Sequence, residues 1–244
     1  MRHYDRYVSL GYDCASAHFL NFWLARLKNQ EIRYNWDSWQ HMSDKSYGGS
    51  FLFDWLNIPI NGVLKLFKEN FCGLFERENL EITERDCDDY LCVYDKFFDV
   101  KFYHFTGIDM TYRNTKGGRR KAEAKLNKNF SKHKSKYNYL SNKMKKLVDS
   151  DLKILFVIGI VPSRHLKQVS YEDFFQEFSI LLNKMNCNAE LLVAVKKGEE
   201  FPKNTELLEN IYFYEVDDMW MGYANDKTAY KSWVKMFDDF MEVK

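Results

Sequence analysis

The segment DLKILFVIGIV, residues 151–161, constrains the fold more than any other part of the chain. From Ile154 to Val161 it is apolar without a break, and most of its side chains are β-branched. A strand that alternates apolar and polar residues can leave one face in water. A strand that is apolar at every position needs cover on both faces, which is the condition inside a parallel sheet. Residues 171–185 follow with Phe174, Phe175, Phe178, Leu181 and Leu182 at helical spacing. Residues 190–195 and 211–216 read as further strands, and 230–240 as a closing helix. Strand, helix, strand, strand, helix is the order expected when crossover helices cover a parallel sheet.

The N-terminal part opens with a similar unit. YVSL, residues 7–10, ends at Gly11 and reads as a buried strand. Asp13 stands at an N-cap position, and 14–26 reads as an amphipathic helix with Ala17, Leu20, Leu24 and Leu27 on its apolar stripe. His18 is expected to be a partly exposed residue of that helix. Residues 29–50 are polar and aromatic with Gly48-Gly49, a long loop of the kind that is more often functional than idle. FLFDWL at 51–56 precedes a helix over about 61–70 that carries Val63, Leu64 and Phe67. Two strands are predicted at 90–94 and 100–105, and the basic stretch 113–146 is helical in its later part. With no linker and no internal repeat, the chain reads as one α/β domain over residues 1–244. At this length folding buries about 70–75% of the unfolded surface, so a core forms without staples.

Several classes are disfavoured. No apolar run approaches the roughly 20 residues that a membrane span needs. A net charge of +1 points to no polyanion, so nucleic acid is not an expected partner. The 5 cysteines form no CxxC pair, and Cys87 and Cys92 have no histidine cluster beside them, so no zinc, other metal or further cofactor is expected. An odd cysteine count and a charged N-terminus without an apolar h-region lead to an expectation of a cytoplasmic protein.

Chemistry centres on SLGYDC, where Cys14 follows a strand at the start of a helix. A helix N-terminus carries partial positive charge and free N–H groups, which lower a thiol's pKa and hold an oxyanion. Cys14 is then either a nucleophile or a small residue packing the strand–helix turn. A nucleophile needs a base, and His104 in FYHFTG is the best placed histidine, at a strand end where α/β sheets bind ligands. Asp54 is a carboxylate inside an apolar, aromatic segment. It either orients the histidine or caps the turn before the next helix. The basic segment around Arg119, Arg120 and Lys121 lacks the spacing of a phosphate-binding P-loop and reads either as a solvated face balanced by acids elsewhere or as a contact for nucleic acid, lipid headgroups or a phosphorylated sugar donor. Glu215, Asp217 and Asp218 give a poor metal signal without a histidine or a DxDxDG loop.

SLGYDC followed by GGSFLFDWL resembles the bacterial and viral family of papain-like cysteine peptidases that carry SLGxxC and PFDW-like boxes. The matching positions are Ser9, Leu10, Gly11, Cys14, Leu20, Phe53, Asp54, Trp55, His104 and Leu155 to Val157. The chain departs from the pattern in reading LFDW without the proline, and YHFTG without a following aspartate. The resemblance implies a cysteine-centred site with Cys14 as nucleophile, His104 as base and Asp54 as the group that orients it. Relatives lie near surface-polysaccharide genes, which also admits a transferase that modifies a glycan with a phosphorylated or nucleotide-sugar donor; a non-catalytic binding protein is the third reading. The strand–helix alternation of the C-terminal half departs from the β-rich second half of papain. It is closer to a three-layer α/β/α sandwich, Rossmann-like or SGNH-hydrolase-like, with a mostly parallel sheet. The expected substrate is a small molecule, glycan or peptide, held by Gly11, Asp13, Trp55, Trp36, Trp39, Arg119, Arg120 and Arg164.

Overall fold

A computed structural model describes residues 2–11, 15–27, 51–54, 56–85, 89–103, 108, 111, 114–160, 170–185, 188–199, 208–219 and 227–242. In chain order the elements are β1 (Arg6–Ser9), α1 (Ala15–Leu27), α2 (Ile60–Lys68), β2 (Leu80–Glu84), β3 (Leu91–Asp95), β4 (Val100–Phe102), α3 (Gly118–Val148), β5 (Lys153–Ile160), α4 (Tyr171–Lys184), β6 (Asn188–Lys196), β7 (Ile211–Val216) and α5 (Lys227–Glu242).

The apolar run becomes β5, an inner strand of a four-stranded parallel sheet ordered β1-β5-β6-β7. Val8 pairs with Phe156, Ile158 with Val193, and Val193 with Phe213. Alternate residues of β5 feed two different cores. Ile154, Phe156 and Ile158 join Val8, Leu191 and Val193 on the face covered by α2, α3 and α4. Leu155 and Val157 join Leu192 and Ala194 on the other face, beneath Phe19 and Trp23 of α1 and Trp233 and Phe237 of α5. Burial on both sides is why no polar residue interrupts the run. Helices therefore flank the sheet on both faces, and the fold is mixed α/β as the element order implied.

A second sheet, antiparallel and ordered β2-β3-β4, extends the first core instead of building its own. Phe75, Phe102 and Tyr137 meet at ring separations of 4.8–5.0 Å, which ties this sheet to α3. One continuous apolar cluster thus runs from Ile82 and Val93 to Phe156, and the two sheets make a single domain.

Four local readings change. β2 was not anticipated: LEITE places only Leu80 and Ile82 inward, too short an alternation to stand out. The strand expected over 100–105 ends at Phe102, with Tyr103 in a turn. α3 is helical from Gly118 and not only in its later part, because alanine, leucine and lysine favour the helix throughout. α1 is not amphipathic over its first turns: residues 15–20 and 22–24 are all buried, His18 included, while Leu27 of the expected stripe is 52% exposed.

Candidate functional site

Two sequence boxes converge at the carboxyl edge of β1. The Leu10 N–H donates to the Val157 carbonyl (2.9 Å), which carries β1's pairing with β5 one residue further. The Gly11 N–H then donates to Ser9 Oγ (3.4 Å), and the chain turns at Gly11 with φ +81°. That left-handed conformation favours glycine. So does the space: a Cβ on Gly11 would lie 2.7 Å from Ile58 Cγ2, 3.5 Å from the Phe53 carbonyl oxygen and 3.6 Å from Phe53 Cβ. SLG and FLFD, far apart in sequence, are therefore in contact.

The 51–54 turn is held from within. Asp54 Oδ2 accepts the Phe51 N–H (2.7 Å), and the Leu56 N–H donates to the Phe53 carbonyl (3.2 Å). Asp54 is buried, and burial pushes its carboxyl up to about 7 against the opposing pull of the Phe51 N–H and of Lys143. Lys143 reaches this turn from α3, its Nζ 4.0 Å from the centre of the Phe51 ring. Burial lowers Lys143 from the ordinary lysine value, and the Asp54 charge opposes that shift. The turn-capping reading of Asp54 thus has a direct hydrogen bond behind it, from within the turn itself and not at the following helix.

The start of α1 is fixed to the same edge of the sheet. Ser16 Oγ accepts the buried Gly159 N–H (2.9 Å), filling the place beside β5 where β1 has ended. Gly159 itself has no room for a side chain, since a Cβ would meet Met219 Cε at 2.4 Å and the Trp233 ring at 3.1 Å. His18, one turn into α1, packs edge-on against Phe22 (4.3 Å between ring centres), and burial pulls its pKa down to about 3. An imidazole held neutral in that way is a poor acceptor for a thiol proton near neutral pH.

Of the residues the sequence singled out, Gly11 and Asp54 lie together at this edge. Arg119 and Arg120 are exposed on the first turn of α3, after Gly117 in the left-handed region (φ 68°). Cys14, His104, Asp13, Trp55, Trp36, Trp39 and Arg164 lie outside the described residues. Asp217 and Asp218 pair with Lys197 (3.9 Å) and Lys196 (3.7 Å). Sequence reasoning missed Ser16 and Lys143. Ser16 stands two residues after Cys14, where a small hydroxyl between Ala15 and Ala17 in the first turn is the available signal; Lys143 is hidden among the other lysines of its helix. Among the described residues no helix is long and apolar enough to cross a membrane. Comparison with protein-family models, with curated proteins and with solved structures gave no match to this chain.

Proposed function

We propose that the protein is a cysteine-dependent hydrolase or acyltransferase. In this reading Cys14 attacks an acyl carbon and Asp54 serves the base, His104, from the 51–54 turn. The thiol proton passes to the imidazole as the S–C bond forms, and returns to the leaving group as the tetrahedral intermediate collapses to a thioester. Water or another acceptor then releases the acyl group. N–H groups at the beginning of α1 are suited to the oxyanion.

The observation that supports this most is the contact of Gly11 with Phe53. It brings the two boxes of the cysteine-peptidase resemblance to one edge of a parallel sheet, where α/β proteins bind their ligands. The α1 helix begins at Ala15, directly after Cys14 in sequence, and Ser16 anchors its first turn to β5.

Alkylation tests the nucleophile. Iodoacetamide should modify Cys14 with a midpoint well below the ordinary thiol value of about 8.5, and p-nitrophenyl acetate should leave an acetyl group on the Cys14 peptide. Exposed Cys72 supplies an internal reference of accessible thiol. If Cys72 reacts near neutral pH while Cys14 stays unmodified, the proposal fails. Asp54→Asn separates its two roles: an orienting carboxylate predicts a rate loss of roughly 10³- to 10⁴-fold in a folded protein, and a turn brace predicts nearly full activity.

A further inference from the structure

The exposed side of α3 carries a long row of lysines. Lys121, Lys125, Lys128, Lys132 and Lys136 are all exposed, and their spacing of three or four residues puts them on one side of the helix. At 1.5 Å per residue the row is about 22 Å long. The same line continues to Tyr139, which is 67% exposed, and on to Lys143 above the Phe51 ring. The opposite face, with Ala122, Leu126, Tyr137, Leu140 and Met144, is buried in the core. The adjoining exposed flank starts at Arg120 and continues through the uncharged Ala124, Asn127, Ser131, Ser135, Asn138 and Asn142, with Arg77 donating to Asn127 Oδ1 (2.8 Å).

Four of the five lysines, Lys121, Lys128, Lys132 and Lys136, have no carboxylate in a salt bridge with them among the described residues, whereas Lys134, off the row, pairs with Glu76. Glu123 is the only acid on the helix. Lys128–Lys132 and Lys132–Lys136 are like-charge pairs at i,i+4, which destabilise a helix in the absence of counterions. The near-zero net charge of the whole chain averages this feature away.

We infer that the lysine row of α3 is a binding surface for the sugar–phosphate backbone of a single-stranded nucleic acid. A row of lysines along the helix axis, beside a flank that carries no lysine from Ala124 to Asn142, matches a linear polymer with closely spaced charges. A lipid surface is two-dimensional and would be met by cations across the whole exposed face. The apolar face of α3 is also committed to the core, so the helix has nothing to insert into a bilayer. Tyr139 at the end of the row offers a ring on which a base stacks, the second element of sequence-tolerant single-strand binding. Lysines act on phosphates as point charges, so the contact reads charge and not sequence.

The test is fluorescence anisotropy of a labelled oligothymidylate longer than the row, titrated with the full chain from about 50 mM to about 200 mM salt. Phosphate contacts from Lys121, Lys128, Lys132 and Lys136 on a single strand predict a slope of log K against log salt of about −2.8. Lys128→Gln together with Lys132→Gln should flatten that slope by about 1.4, with an unchanged circular dichroism spectrum. Tyr139→Ala should weaken binding roughly tenfold at an unaltered slope. Absence of binding at the lowest salt overturns the inference. So does binding that the double variant leaves unchanged, or capture by phosphatidylserine vesicles without capture of the oligonucleotide.

Discussion

Gly11 at the end of β1 lies against Phe53: a side chain at position 11 would stand 3.5 Å from the Phe53 carbonyl oxygen and 2.7 Å from Ile58 Cγ2. Gly11→Ala therefore has two costs. A non-glycine residue at φ +81° is strained by about 1–2 kcal/mol, and overlap with Ile58 adds about 1–3 kcal/mol. A urea midpoint measurement should show both. Combining Gly11→Ala with Ile58→Ala should cost less than the two separate losses together, since the second change makes room for the first. Strictly additive losses would mean that the two residues do not touch.

Asp54 makes stability depend on pH in a specific direction. Its carboxyl is raised from 3.8 to about 7 in the folded chain, so the folded state binds this proton more tightly than the unfolded state. The contribution is fully present below about pH 4 and is lost as pH rises through 7. It is on the order of 4 kcal/mol. Asp54→Asn removes the titration and keeps an acceptor for the Phe51 N–H. The stability of the wild-type chain relative to this variant should fall between pH 4 and 7; a constant difference would rule out the raised pKa.

His18 acts with the opposite sign. Burial depresses its pKa from 6.5 to about 3, so its contribution is present above pH 6.5 and is lost as pH falls towards 3. His18→Gln should flatten the acid side of the stability profile while leaving the neutral side alone. Chemical denaturation at pH 4 and pH 7, with both variants in parallel, separates the two groups, because one profile loses its slope above pH 4 and the other below pH 6.5.

The parts of the fold that were legible in the sequence are those where one physical demand fixed many neighbouring residues. β5 had to be apolar throughout because it is covered twice, and Phe174, Phe175 and Phe178 had to recur at helical spacing because α4 lies on the sheet. β2 escaped notice because two inward residues satisfy it. The sequence makes His18 partly exposed, since a helix with one apolar stripe normally has a wet side, yet His18 is buried against Phe22, whose ring in turn meets Tyr230 of α5. At the candidate site, Gly11 and Asp54 were identified from the sequence alone, but their contacts were not. Ser16 and Lys143 come from other segments, and only the folded chain brings them to that edge.

Ser16 is the link between α1 and the sheet. Its Oγ is the acceptor for the buried Gly159 N–H at a position where β1 no longer pairs with β5. Ser16→Ala leaves that donor unsatisfied, at a cost of about 1–3 kcal/mol. Hydrogen exchange gives the sharper reading: the Gly159 amide should lose protection while Val157 and Ile158 keep theirs. Equal loss across β5 would indicate general loosening and not a missing acceptor.

Phe67 connects the candidate site to the main core. Its ring stacks on Phe53 at 6.0 Å and meets Phe71 at 4.8 Å, Phe178 at 5.1 Å and Phe156 at 5.7 Å. Thus one side chain of α2 bears on the 51–54 turn, on α4 and on β5. Phe67→Ala should cost about 3–5 kcal/mol, and Phe67→Leu much less, because the leucine fills most of the space. The two variants also separate packing from local order. If Phe67 supports the turn, the Phe51 amide, whose N–H is donated to Asp54, should exchange faster in Phe67→Ala than the global loss of stability alone requires. Exchange that follows global unfolding throughout would show that the turn is held by Asp54 and Gly11 without Phe67.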